Sequence, residues 1–159
     1  MKKVLVAYFS NTGNTEKIAQ YIAEGVRIAG HDADLKRIAD IGGERGLAGY
    51  DGYIFGCPTY HLDMPDAFKA FLSSAKKAGL EGKVGGAFSS RTHPSSGSTN
   101  AASRLFDLME SQFNMRMTNL GPFELEAGLP GSTERMIDSM EGIHTCQDYG
   151  KSVGEMLDS

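Results

Sequence analysis

The chain lacks several signatures, and each absence removes a class of function. No G-x-x-x-x-G-K-S/T segment occurs in its 159 residues, so no lysine is set to grip the phosphates of a nucleoside triphosphate. No G-x-G-x-x-G follows the first apolar run, which disfavours dinucleotide binding. There are only two cysteines, Cys57 and Cys146, and no C-x-x-C. A disulfide scaffold is therefore excluded, and two reduced thiols in a cytoplasmic protein are expected. Charge of one sign is also scarce: the net formal charge is −4. Neither nucleic acid nor an anionic membrane surface is an expected partner, because both require a basic face. The longest apolar run at the amino end covers residues 4–9, too short for a signal-peptide core or a membrane span. Four histidines (His31, His61, His93, His144) show no metal-ligand spacing.

What is present is an ordinary globular composition, 40% hydrophobic and 23% charged, sized for a single domain over residues 1–159. Residues 4–9 read as a strand buried on both faces. A polar loop follows. Ile18, Ala19, Ile22, Ala23 and Val26 then recur at helical spacing, with Gly30 as a stop. Residues 33–38 form a weaker strand, 40–49 a connection, and 53–57 a buried strand. Pro65 opens a helix carrying Phe68, Phe71, Leu72 and Ala75 on one stripe. Residues 84–88 are a fourth strand, 89–99 a serine-rich loop, and Ala101 to Phe113 a third helical stripe. A short strand is expected at 117–120, irregular chain at 121–131, and helix to about 157. Gly142, Gly150 and Gly154 weigh against that last helix. Alternating strands and helices predict an α/β fold. It is a five-stranded parallel sheet of order 2-1-3-4-5 with helices on both faces, and its ligand site lies beyond strands one and three.

The loop at that position is Ser10-Asn11-Thr12-Gly13-Asn14-Thr15. It offers three hydroxyls, two amides and a turn glycine where a helix begins, and the free N–H groups of a helix start favour an anion. Such a loop holds a phosphate without a cationic side chain. With triphosphates and dinucleotides disfavoured, a terminal monophosphate on a larger ligand remains.

This loop resembles the S/T-x-T-G-x-T phosphate loop of flavodoxins. Gly56-Cys57-Pro58-Thr59-Tyr60 is similar to the G-S/T-P-T-aromatic loop that follows the third strand in that flavodoxin-like family. The resemblance implies flavin mononucleotide (FMN) as cofactor, with Ser10, Asn11, Thr12, Gly13, Asn14 and Thr15 around its phosphate. It implies Pro58, Thr59, Tyr60 and His61 beside the ribityl chain and ring, Tyr60 stacking on or flanking the ring. Ser89, Ser90, Arg91 and His93 would close over the pyrimidine side. The flavin would do the chemistry, so no protein group is expected to be catalytic in its own right.

The loop from Ser89 has neither a second stacking aromatic nor acidic residues, both usual in electron-carrying flavodoxins. In this it looks more like NAD(P)H:quinone reductases of the tryptophan-repressor-binding-protein type. The resemblance thus implies a redox flavoprotein taking hydride from NAD(P)H and reducing a quinone-like acceptor. Two alternatives stand beside it: an electron carrier between redox proteins, and a cofactor-free module that binds or regulates. A homo-oligomer is compatible with all three. If Arg91 or His93 lies at the flavin's N1–O2 edge, reduction should be eased. The segment Tyr60-His61-Leu62-Asp63-Met64-Pro65 has no glycine to permit a peptide flip, which implies two-electron rather than one-electron chemistry.

Overall fold

A computed structural model describes residues 1–11, 13–60, 63–91, 100–126, 137 and 139–159. Among them are strands β1 (Lys3–Tyr8), β2 (Asp32–Arg37), β3 (Gly52–Pro58), β4 (Val84–Arg91), β5 (Arg116–Met117) and β6 (Phe123–Glu126). The helices are α1 (Asn14–Ile28), a single turn α2 (Gly43–Gly46), α3 (Asp66–Lys77), α4 (Ala101–Ser111) and α5 (Met140–Met156). All strand pairs are parallel, in the order β2-β1-β3-β4-β5, with β6 also on β4. The expected order is present, plus a sixth strand.

The two faces of the sheet follow from the alternation of side chains along each strand. Leu5, Ala7, Tyr53, Phe55, Cys57 and Ala87 face Phe68 and Leu72 of α3 and Leu105 and Met109 of α4. Val4, Val6, Ile54 and Phe88 face Ile18, Ile22 and Val26 of α1 and Tyr149 and Val153 of α5. Both layers are fully closed over β1, which explains its unbroken apolar run. Pro65 stands just before α3 in extended backbone rather than inside its first turn.

The sixth strand lies in the stretch expected to be irregular. The Phe-Glu-Leu-Glu alternation at 123–126 buries Leu125 and pairs Phe88 with Phe123 and Arg91 with Glu126. β5 is correspondingly shorter than expected, pairing only Val84 with Arg116 and Gly85 with Met117. β5 and β6 thus share one position beside β4; the Thr118 N–H still bonds the Gly85 carbonyl at 2.9 Å, and no residue of either strand pairs with Gly86 or Ala87. Tyr149 fills that break. Its hydroxyl accepts from the Ala87 N–H at 3.0 Å and lies 2.8 Å from the Gly121 carbonyl and 3.1 Å from that of Ala87. Tyr149→Phe should therefore lower stability by about 1–3 kcal/mol, the cost of buried polar groups left unmet. Chemical denaturation with an unchanged m-value would verify it.

β6 also extends β4. Ser89, Ser90 and Arg91, expected in a loop, are its last three residues, held by Cys57 and Pro58 on one side and by β6 on the other.

Candidate functional site

The carboxyl ends of β1, β3 and β4 converge at one edge of the sheet. Beyond β1, Gly13 adopts φ 88° and its N–H bonds the Ser10 hydroxyl at 3.0 Å, closing a turn that launches α1. The N-cap of α1 is Gly13, which has no side chain to offer a cap bond. The positive dipole end of α1 faces this loop. Ser10, Asn14 and Thr15 are buried in it. Thr15 Oγ1 lies 2.7 Å from Ser90 Oγ, tying the first loop to the end of β4. Asn11 Nδ2 donates to the Tyr60 hydroxyl at 2.6 Å, tying it to the loop after β3. Tyr60 keeps 39% of its surface exposed, the most open aromatic here. Thr12, His61 and His93 lie outside the described residues.

Arg37 brings a cation to this loop. Arg37, at the end of β2, donates to the Ser10 carbonyl at 3.3 Å. Register places it beside Tyr8, and only the sheet order reveals that proximity.

After β3, Tyr60 and Asp63 bond each other twice, N–H to carbonyl, at 2.7 and 2.9 Å. Asp63 is anchored further: its carboxylate accepts from the Met64 N–H at 2.7 Å and meets Lys69 Nζ at 2.8 Å. The Lys69 hydrogen bond holds the Asp63 carboxyl below its usual range, assisted by the Met64 N–H. A depressed folded value means that its stabilisation is complete above the unfolded value near 3.9 and is lost as pH falls through the folded one. Asp63→Asn should thus be less stable than the parent at pH 7, with the difference vanishing in strong acid. Paired urea midpoints across pH 2–7 would check this.

On the α3/α4 side of the sheet, Thr59 Oγ1 and Ser89 Oγ donate to the same oxygen of Glu124, at 2.7 and 2.8 Å. Each hydroxyl also accepts a backbone N–H from the first turn of α4, Ala101 to Thr59 and Ala102 to Ser89, both at 3.2 Å. The Thr59 hydroxyl is therefore committed to the scaffold, and Thr59 N–H bonds the Ser90 carbonyl at 2.9 Å. Arg91 Nε lies 2.8 Å from Glu124 Oε1, and its terminal nitrogen 3.4 Å from Glu126. Arg91 is thus no uncompensated cation. Two carboxylates surround one guanidinium, so the easing of reduction expected from Arg91 does not follow. β6 brings two acidic residues to the end of β4, Glu124 and Glu126, which no motif marks in the sequence. Their signal was the alternation around Leu125, which sets both glutamates on one face.

Cys57 is fully buried, and burial pushes its thiol well above the ordinary range. It packs as a small hydrophobe. Gly56, by contrast, is demanded by packing, since the Phe88 ring occupies the space of any Cβ there. No helix among the described residues is long and apolar enough to cross a membrane.

Comparison with known proteins agrees with this geometry. The "Flavodoxin domain" family model matches residues 5–123. A flavodoxin of Clostridium saccharobutylicum is 34% identical over 96 residues, a match spanning 60% of this chain and 60% of that relative. An NAD(P)H dehydrogenase (quinone) of Cupriavidus metallidurans is 33% identical over 144 residues, covering 76% of this chain and 71% of the relative. Among solved structures, an archaeal flavodoxin superposes with a TM-score of 0.83 at 18% identity, covering 99% of both chains. A WrbA-like flavodoxin of Agrobacterium tumefaciens gives a TM-score of 0.78 at 26% identity, covering 99% of this chain and 98% of the other. On its motifs, its strand order and the family match over most of its length, the chain belongs to the flavodoxin domain family, whose members are flavin-dependent redox proteins.

Proposed function

We propose that residues 1–159 form one FMN-binding domain acting in the cytoplasm as an NAD(P)H-dependent reductase of quinones or similar acceptors. The observation that carries the reading is the convergence of three chain segments at one sheet edge, two of them bearing buried hydroxyls. Ser10, Asn14 and Thr15 lie at the start of α1, whose positive dipole end suits a dianionic phosphate. Ser10, Asn11, Thr12, Gly13, Asn14 and Thr15 would hold that phosphate. Pro58, Tyr60 and His61, with Ser90, Arg91 and His93, would border the ribityl chain and ring. Bound FMN would supply hydride acceptance and release. This chain's groups would anchor it and set the charge around it.

An enzyme, rather than a one-electron carrier, is favoured by the loop after β3. The Asp63 N–H is bonded to the Tyr60 carbonyl and the Asp63 side chain to Met64 and Lys69, which opposes a redox-linked peptide flip there. A cofactor-free module would have no need of buried hydroxyls beside this helix start. The test is anaerobic stopped-flow of the FMN-loaded protein with NADH or NADPH, followed by a quinone. Bleaching of the flavin absorbance by one nucleotide and its return with quinone are expected. A flavin reduced only by dithionite or a protein reductant would return the chain to the carrier class.

A further inference from the structure

We propose that Glu124 is a positioning residue that clamps the two ring-side segments of the cleft together, and that its negative charge lowers the reduction potential of bound FMN. The inference rests on the FMN reading above. Only 9% of the Glu124 side chain is exposed. One of its oxygens receives two hydroxyls, from Thr59 after β3 and from Ser89 near the end of β4. Its other oxygen meets Arg91. Through those hydroxyls it is joined to the first turn of α4, where backbone donors and the dipole favour a negative charge. Two hydroxyl donors on one carboxylate oxygen fix its position between the two segments. The segments it joins are the ones that would border the ring, so it stands one side chain behind them.

Among the described residues, the charges beside it do not cancel it. Arg91 lies between Glu124 and Glu126, leaving the cluster with one excess negative charge. A negative charge in a partly dry site disfavours an anionic reduced flavin more than the neutral oxidised form. A purely structural role for Glu124 would not bias the two redox states.

The experiment compares the full chain with Glu124→Gln and Glu124→Asp, each loaded with FMN, by anaerobic redox titration beside FMN binding. Gln removes the charge and turns an amide donor toward Arg91; Asp keeps the charge but shortens the reach. For Glu124→Gln the preference for reduced over oxidised FMN should rise about tenfold, which is about 30 mV in a two-electron midpoint. Glu124→Asp should weaken FMN in both states alike and leave the midpoint near the parent value. An unchanged midpoint in Glu124→Gln, or equal shifts in both variants, would overturn the proposal. If Glu124→Gln does not fold, Arg91→Met with and without Glu124→Gln supplies the comparison, because the double variant leaves no cation facing an amide. The double variant must then show the higher midpoint; equality overturns the proposal. Failure of the parent protein to bind FMN would instead refute the functional reading, and this inference with it.

Discussion

The apoprotein is expected to bind FMN about a thousandfold more tightly than riboflavin. The difference between these ligands is the terminal phosphate, and the start of α1 is where the chain offers donors for it. Charge-assisted hydrogen bonds contribute roughly 1.5–3 kcal/mol each. Two of them give about 4 kcal/mol, or close to three decades of affinity. Arg37, bonded to the Ser10 carbonyl, adds a nearby positive charge that salt screens only in part. Ser10→Ala removes both a loop hydroxyl and the acceptor for the Gly13 N–H. It should weaken FMN by about ten- to a hundredfold while leaving riboflavin affinity unchanged. Fluorescence-quenching titrations with the two flavins measure both numbers. Equal affinities would place the ligand's anchor elsewhere.

A second large effect is expected at the contact of α1 with α5, and its sign is informative. Helix propensity alone says that Gly150→Ala should stabilise α5 by about 1 kcal/mol. The structure says the reverse. A Cβ on Gly150 would fall inside the Ile22 carbonyl of α1, and one on Gly25 inside the Gln147 carbonyl of α5. A Cβ on Gly154 would lie 2.7 Å from that of Ala29. The neighbours at Gly25 and Gly150 are backbone, so no rotamer change relieves them, and the helices must separate. Overpacking costs about 1–3 kcal/mol, and these contacts belong at or beyond the upper end. For a chain of this size, 3 kcal/mol corresponds to a drop in Tm of roughly 6–12 °C. Thermal unfolding of Gly25→Ala and Gly150→Ala would show it; the pair should be less than additive, because both sites serve one interface.

Those glycines mark where sequence and structure part. Read along the chain, Gly150 and Gly154 argue against a helix, because local propensity sees only the cost of glycine. Their reason is tertiary, a close approach to α1 invisible until the two helices are placed. The reverse holds at β1 and α1, where unbroken burial and a regular stripe make type and limits plain from residues alone. The loops after β1 and β3 were legible as loops because each is a contiguous polar stretch directly after its strand. The third was not. Ser89 and Arg91 take their partners from Glu124 and Glu126, and that pairing exists only once β6 lies beside β4. The split between β5 and β6 was hidden for a related reason: Tyr149, from a distant helix, serves the backbone groups that a continuous strand would have served.

The central claim is that this chain carries FMN as its redox group. The most direct measurement is the identity and amount of flavin released by heat from protein purified after FMN loading. One FMN per chain, with no FAD or riboflavin retained from an equimolar mixture, is the predicted result. Protein that emerges colourless, or that retains FAD or riboflavin as readily as FMN, would contradict the account.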